Sequence, residues 1–335
     1  MGPPRRAPRA HECRRSDRHD APGGARTYGG VTGPIIRCLA VAALGVSAAA
    51  PLAAQARELK RYGAGAPEAK LMLYYSSTVA FSPLGVPFGV DRPSEPAVTE
   101  GRRTSPRFEA AVEISYLPEL SLEQRTTGSD KPEATNLAPL FPRPRIGTRL
   151  PGGLGLELSW IPPLRLFDVK ANLFAGALSR SFAVTNGVRI VPRASVLVGR
   201  VEGPITCNRE TSEEGDAALA TYFSLVCYGN DSRDYFEPRH VSGELVVART
   251  TTTGRWQPYI SGGARAERTR FDVGVIRRDG SRDRDQPILE VKTTRGFGTA
   301  GASWLGLPRT RLTGELYYAP GSALTGRVLA GVRLW

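Results

Sequence analysis

A chain of 335 residues with 41% hydrophobic residues, 37 Gly and 27 Pro has too many apolar residues to be disordered, and its wealth of turn formers favours many short strands. The formal charge of +13 raises nucleic acid as a partner, but residues 1–56 hold eight of the Arg and three of the acids. The bases that follow alternate with apolar residues and form no Lys/Arg stripe interleaved with aromatics, which excludes nucleic acid.

Residues 1–34 are rich in Arg, Pro and Gly and show no apolar period, so they read as a non-native or disordered extension, with Val31 as a possible true initiator. Residues 35–56, IIRCLAVAALGVSAAAPLAAQA, place a basic Arg37 before a short apolar core that ends on small residues. This predicts a Sec signal peptide cleaved before Arg57. A membrane-anchoring helix would want about 20 strongly apolar residues, and Cys38 precedes the apolar core, where a lipoprotein cysteine would end it. Residues 57–68 are expected as a periplasmic linker, and residues 69–335 as the folded body.

The body alternates with period two, the mark of strands with one apolar face. In chain order, a run near 70–82 is followed by Phe108–Tyr116, where Ala110, Val112 and Ile114 oppose Glu109 and Glu113. Residues 125–150, with Pro132, Pro142 and Pro144, find no place in the pattern. Leu154–Trp160 set leucines against Glu157. In 167–177, Phe167, Val169, Ala171 and Leu173 oppose Asp168 and Lys170, and in 188–198 Val188, Ile190, Val196 and Val198 oppose Arg189, Arg193 and Ser195. Further runs lie near 239–249, 260–267 with Arg265 and Glu267, 289–304, 311–318 with Arg311 and Glu315, and 324–335. About ten strands result, with 8–14 allowed. No run is apolar enough for a transmembrane helix.

Cys207 and Cys227, the two cysteines left after signal removal, bracket a polar acidic stretch and are expected to form a disulfide in an oxidising compartment. Aromatics sit near strand ends (Tyr116, Trp160, Trp256, Tyr259, Trp304, Tyr317, Tyr318, Trp335), and short turns contrast with long polar stretches near 83–105 and 203–236. One uncharged face, aromatic girdles and connections alternating in length describe a barrel in lipid.

Through its signal peptide, dyad strands and closing run Gly326–Trp335, the chain resembles the outer-membrane β-barrel superfamily, whose members end on an aromatic residue that closes the last strand. Here Trp335 shares the parity of Arg327 and Arg333 instead of the apolar face. The resemblance implies an all-β, transmembrane, antiparallel up-and-down barrel in a Gram-negative outer membrane. Its partners would be outer-membrane lipid and lipopolysaccharide, the barrel-assembly machinery, and an extracellular ligand at the long loops. The expected role is structural or docking, or a small-solute pore. Both barrel termini would then lie in the periplasm and the Cys207–Cys227 loop outside.

The lumen is expected to carry Glu109, Glu113, Glu157, Asp168, Lys170, Arg189, Arg193, Arg265, Glu267, Arg311 and Glu315, able to pair across a narrow interior. His240-Val241-Ser242 resembles the H-x-S pair of the lipid A deacylase family, with Glu244 as an orienting acid. Alternation nonetheless points His240, Ser242 and Glu244 inward, away from lipid, so no enzyme is expected. No cofactor or metal is expected either, since neither ligand spacing nor a phosphate loop occurs. A soluble periplasmic lipocalin-like module, with its apolar faces turned inward, is the remaining alternative.

Overall fold

The computed structural model describes residues 57–86, 107–125, 133, 135, 137–150, 154–185, 187–209, 221, 223–283 and 285–334. In chain order these form β1 Leu59–Tyr62, helix α1 Pro67–Thr78, β2 Arg107–Tyr116, the one-turn α2 Leu122–Arg125, β3 Leu140–Arg149, β4 Leu154–Ile161 and the two-residue β5 Arg165–Leu166. Then follow β6 Val169–Arg180, β7 Phe182–Thr185, β8 Val188–Gly203, β9 Asp234–Arg249, β10 Trp256–Asp272, β11 Ile288–Trp304, β12 Thr310–Tyr318 and β13 Thr325–Arg333. Ten of the strands close a ring in chain order. From β2 the antiparallel ladder runs through β3, β4, β6, β8, β9, β10, β11 and β12 to β13, which pairs back onto β2. The strand ends joined by the three longest connections (117–139, 204–233, 273–287), and by 162–168 and 319–324, lie at one end of the ring, the loop end. Those joined by 150–153, 181–187, 250–255 and 305–309, all short, lie at the other, the turn end.

Across the middle of the barrel each wall strand turns its charged residues in and its apolar residues out. Glu113 and Arg193 are buried, while Val112, Ile114, Leu158, Val196, Leu245, Ile260, Leu316 and Val328 are exposed. An apolar exterior of this kind is stable only against lipid. The outward residues of β10 from Trp256 to Ala266 carry no charge, and ten steps of ~3.3 Å at ~40° of tilt span ~25 Å, the height of a bilayer's apolar band. The chain is therefore a barrel membrane protein. A lipocalin-like module requires the opposite placement, and that alternative is corrected by it. The aromatic rings divide likewise. Tyr116, Trp160, Trp256 and Tyr318 face outward, but Tyr259 and Tyr317 are buried in the interior, contrary to the girdle expected of them.

Two segments correct the strand-by-strand expectation. Residues 70–82 are no strand: Pro67 opens α1 at its first turn, where its missing N–H costs nothing. The helix buries Ala69, Leu71, Met72, Leu73, Tyr74, Ser76, Ser77 and Thr78, so it is covered nearly all round and shows no amphipathic period from which to recognise it. Conversely, 140–149 is the wall strand β3. It pairs with β4 only over Arg145–Arg149, so Pro142 and Pro144 lie where that side of the ladder is unpaired.

Candidate functional site in the plugged lumen

Residues 67–86 fill the lumen, and residues 57–66 lead into it across the loop end. At the loop end the Arg57 guanidinium donates to Asp272 Oδ1 (2.5 Å) and to the carbonyls of Gln286 (2.6 Å) and Val273 (3.3 Å). Next, β1 adds a short parallel strand to β11 over Ile288–Val291. That edge is vacant because β12 pairs with β11 only from Gly298 onward, and an open edge of β11 would leave backbone groups unpaired. The chain then turns inward as α1. Tyr74 donates to the Pro118 carbonyl (2.6 Å) and Tyr75 packs edge-on against Phe236. Beyond α1, residues 79–86 run extended toward the turn end. There Phe81 packs on Ala177 and Leu197, Leu84 on Ala111 and Leu329, and Val86 on Val191, Val246, Ala248 and Tyr259. The expected periplasmic linker 57–68 thus lies at the loop end, and the barrel wall begins at Arg107, not at residue 69. Of the outside loop expected at 83–105, residues 83–86 lie in the lumen near the turn end, and 87–105 fall outside the described residues.

An extended segment buried in a lumen has carbonyls that no helix or sheet satisfies, and each needs a donor. The wall supplies arginines. Arg143 donates to the carbonyls of Val79 (2.7 Å) and Ala80 (3.1 Å), Arg145 to Ser82 (3.2 Å), Arg193 to Pro83, Arg327 to Ser82 (3.4 Å) and Arg311 to Val86 (2.7 Å). Ser195 adds a bond to the Phe81 carbonyl (3.3 Å), and Arg295 reaches Leu73 (3.0 Å). Buried cations need counter-charges, and the wall provides these too. Arg145 pairs with Glu113 and with Glu157 (2.6 Å), Arg193 with Glu244 (3.4 Å), Arg311 with Glu109 (3.2 Å) and Arg327 with Glu315 (3.6 Å). Glu267 meets both Arg265 (3.5 Å) and Arg295. A guanidinium with five N–H donors can serve a carboxylate and a carbonyl together, which an ammonium does less well.

The loop-end half of the lumen is different. Around α1, the inward residues Phe141, Val169, Ala171, Leu173, Val201, Phe236, Phe271 and Val291 make one apolar cluster. A cavity of about 50 Å³ remains between that cluster and Tyr74, Tyr75 and Val79 of the plug, too small for a substrate-sized ligand.

Of the residues expected in the lumen, Glu109, Glu113, Glu157, Arg193, Arg265, Glu267, Arg311 and Glu315 are buried inside, and Arg189 shares their face at the turn end. Asp168 and Lys170 do not. Both are exposed, and Val169, Ala171 and Leu173 point inward, the reverse of the expected parity. The error has a physical source: at that height the interior is the apolar collar around α1, so the uncharged face belongs inside. Arg143, Arg145 and Arg295 were missed, though the alternation of Arg143 and Arg145 with Pro142, Pro144 and Ile146 carried the signal.

His240, Ser242 and Glu244 all face the lumen and are buried. The His240 ring Nε2 lies 2.6 Å from Ser76 Oγ of the plug, which also donates to Glu267 Oε2 (2.5 Å). His240 Nδ1 has no hydrogen-bond partner among the described residues. A Ser-His-acid relay places the acid on the ring nitrogen opposite the nucleophile, and here Glu267 and Ser76 share one side. Ser242 pairs with Ser195 (2.6 Å), and Glu244 accepts from Ser82 (2.9 Å) and meets Arg193, so the three residues do not form one constellation. Cys207 and Cys227 are joined by a disulfide, buried against Val275.

No protein-family model matches the chain, and no curated protein matches it. Solved structures similar to it include Neisserial surface protein A, 12% identical, covering 68% of this chain and 95% of that one with a TM-score of 0.26. Ail, the attachment invasion locus protein of Yersinia pestis, is 10% identical, covers 69% and 100%, and has a TM-score of 0.26. The Pseudomonas putida toluene transporter TodX is 9% identical, covers 84% and 78%, and has a TM-score of 0.30. At such scores the alignments carry no weight of their own beside the ring of pairings and the apolar exterior. The fold of this chain is that of a transmembrane antiparallel up-and-down β-barrel of ten strands.

Proposed function

We propose that the protein resides in a bacterial outer membrane with its loop end outside, that its barrel is held shut by its own amino-terminal segment, and that it acts as a structural or docking element, not as an open pore or an enzyme. The observation that carries this reading is the plug: residues 79–86 cross the charged half of the lumen with their carbonyls held by wall arginines. Ions would have to displace both those bonds and the carboxylate pairs behind them, a costly exchange in a narrow interior. Long connections at one end and short turns at the other support the orientation. With the signal removed, the mature amino terminus would sit outside, a topology that threads the chain through its own barrel.

Cysteine labelling on intact cells tests this. Lys60→Cys, on exposed β1 at the loop end, is expected to react with a membrane-impermeant maleimide, whereas Arg255→Cys, at an exposed turn, is expected to react only after permeabilisation. The opposite pattern would reverse the orientation. Purified mature protein in planar bilayers is expected to be electrically silent, and steady discrete openings from the intact chain would overturn the closed-barrel reading.

A further inference from the structure

Above the apolar band, the outward faces of β8–β11 change character at one height. In β10 the uncharged series Trp256–Ala266 ends and Arg268 and Arg270 follow; in β9, Arg239 follows Val241; in β11, Lys292 follows Thr294. The register makes these neighbours. Arg239 lies directly opposite Arg268, and Arg268 directly opposite Lys292, a row of three cations across three adjacent strands. Like charges directly opposite one another on a sheet face repel, so nothing in strand pairing favours such a row. The next row toward the loops reads Glu237, Arg270, Glu290 and, on β1, Arg61.

The carboxylates of that second row do not balance the cations. Glu290 is shared by Arg268 (2.6 Å), Arg270 (2.9 Å), Arg61 (3.5 Å) and Lys292 (3.6 Å), while Glu237 is taken by Arg200 (2.5 Å). Arg239, exposed, has no hydrogen bond or ion pair among the described residues. Two carboxylates therefore face six cations on one continuous patch. The patch also stands where it matters: ~25 Å up from the turn-end girdle on the band reckoning given above, the height at which lipid headgroups begin. Cations placed there gain from anionic headgroups and lose nothing to the bilayer interior.

We propose that Arg239, Arg268 and Lys292 form a binding site for the phosphate groups of an anionic phosphoglycolipid in the leaflet at the loop end, with Arg270 and Arg200 as flanking contacts. The site deepens the proposed membrane placement and rests on it for the choice of leaflet, though not for the chemistry. Arginine suits the role because its planar fork meets two phosphate oxygens at once. The lipid phosphates would relieve the repulsion along the row, so the bound lipid should stabilise this side of the wall, whose strands stand tallest above the membrane.

The test uses the mature full-length chain folded in an uncharged detergent, so that its result does not depend on orientation in cells. Diphosphoryl lipid A is the probe, with dephosphorylated lipid A, phosphatidylcholine and inorganic phosphate as comparisons. Diphosphoryl lipid A is expected to stay bound through gel filtration and to raise the unfolding temperature, with the other three giving no shift at equal concentration. The variant R239Q/R268Q/K292Q is expected to lose about a hundredfold in lipid A affinity, at the usual contribution of each basic group at an anionic surface. It should still fold, because Arg270 and Arg61 continue to neutralise Glu290 when Arg268 and Lys292 are replaced. Undiminished lipid A binding by this variant would overturn the site, as would an equal shift from inorganic phosphate (a free-anion site) or from dephosphorylated lipid A (apolar binding only). Reversed cysteine labelling with lipid A binding intact would move the site to the other leaflet and count against the orientation alone.

Discussion

A side chain in this barrel meets one of three environments, and substitutions separate them. Val196 and Leu316 face outward at about half exposure, so Val196→Arg or Leu316→Arg should cost ~2–4 kcal/mol in bilayer-refolded protein, read from denaturant unfolding in vesicles. Alternation alone suggests that the neighbouring Ser195 would accept Arg in a polar lumen. The structure predicts otherwise: Ser195 Oγ contacts both Ser242 and the Phe81 carbonyl, so Ser195→Arg must push the plug aside, and it should destabilise as much as the lipid-facing changes. Arg193 joins the Pro83 carbonyl to Glu244. Arg193→Ala strips a buried carboxylate of its cation and should cost ~3–5 kcal/mol, more than replacing both members of the pair together with apolar residues. Alternation shows which face a residue takes, but it says nothing of a segment from elsewhere in the chain that occupies the space.

Among the elements, the inner wall makes room for large rings by placing glycine opposite them. A Cβ at Gly263 would lie 2.3 Å from the Gly243 carbonyl oxygen and 2.8 Å from the Phe297 ring, and one at Gly301 would lie 2.7 Å from the Tyr259 ring. Both contacts are too close for any side chain. Gly263→Ala is therefore expected to cost ~1–3 kcal/mol by overpacking, whereas Gly314→Ala, with nothing within 4 Å, should be nearly neutral in the same unfolding measurement. The Cys207–Cys227 link packs on Val275, above the wall. Cys227→Ser should make the 207–227 loop sensitive to protease while leaving the barrel's heat-resistant gel mobility unchanged, because wall pairing does not depend on that loop. Period two made most wall strands legible. It failed for α1, which is covered nearly all round, and for β3, whose two prolines argue against a strand until the unpaired half of its β4 side is seen.

For the whole molecule, the plug decides what the barrel can do. Deleting residues 57–86 should turn an electrically silent protein into one with discrete openings in planar bilayers, and Glu113→Lys in that background should shift the pore toward anions; an equally silent deletion protein, folded by gel mobility, would mean that the wall side chains close the lumen unaided. The sequence by itself determined the membrane barrel, the count of ten strands and the inward face of most charges. All of these follow from local composition or from the two-residue repeat that a lipid exterior imposes. The number ten nonetheless came from counting 70–82 as wall and omitting 140–149, errors that cancel in the total and not in the topology. Only the tertiary structure decided that the lumen is stoppered by the chain's own residues 67–86, that Asp168 and Lys170 face out, and that Arg239, Arg268 and Lys292 stand in one row. Each depends on which strand or segment lies beside which, and neighbours across a barrel are set by register and long-range packing, to which a repeat along a single strand is blind.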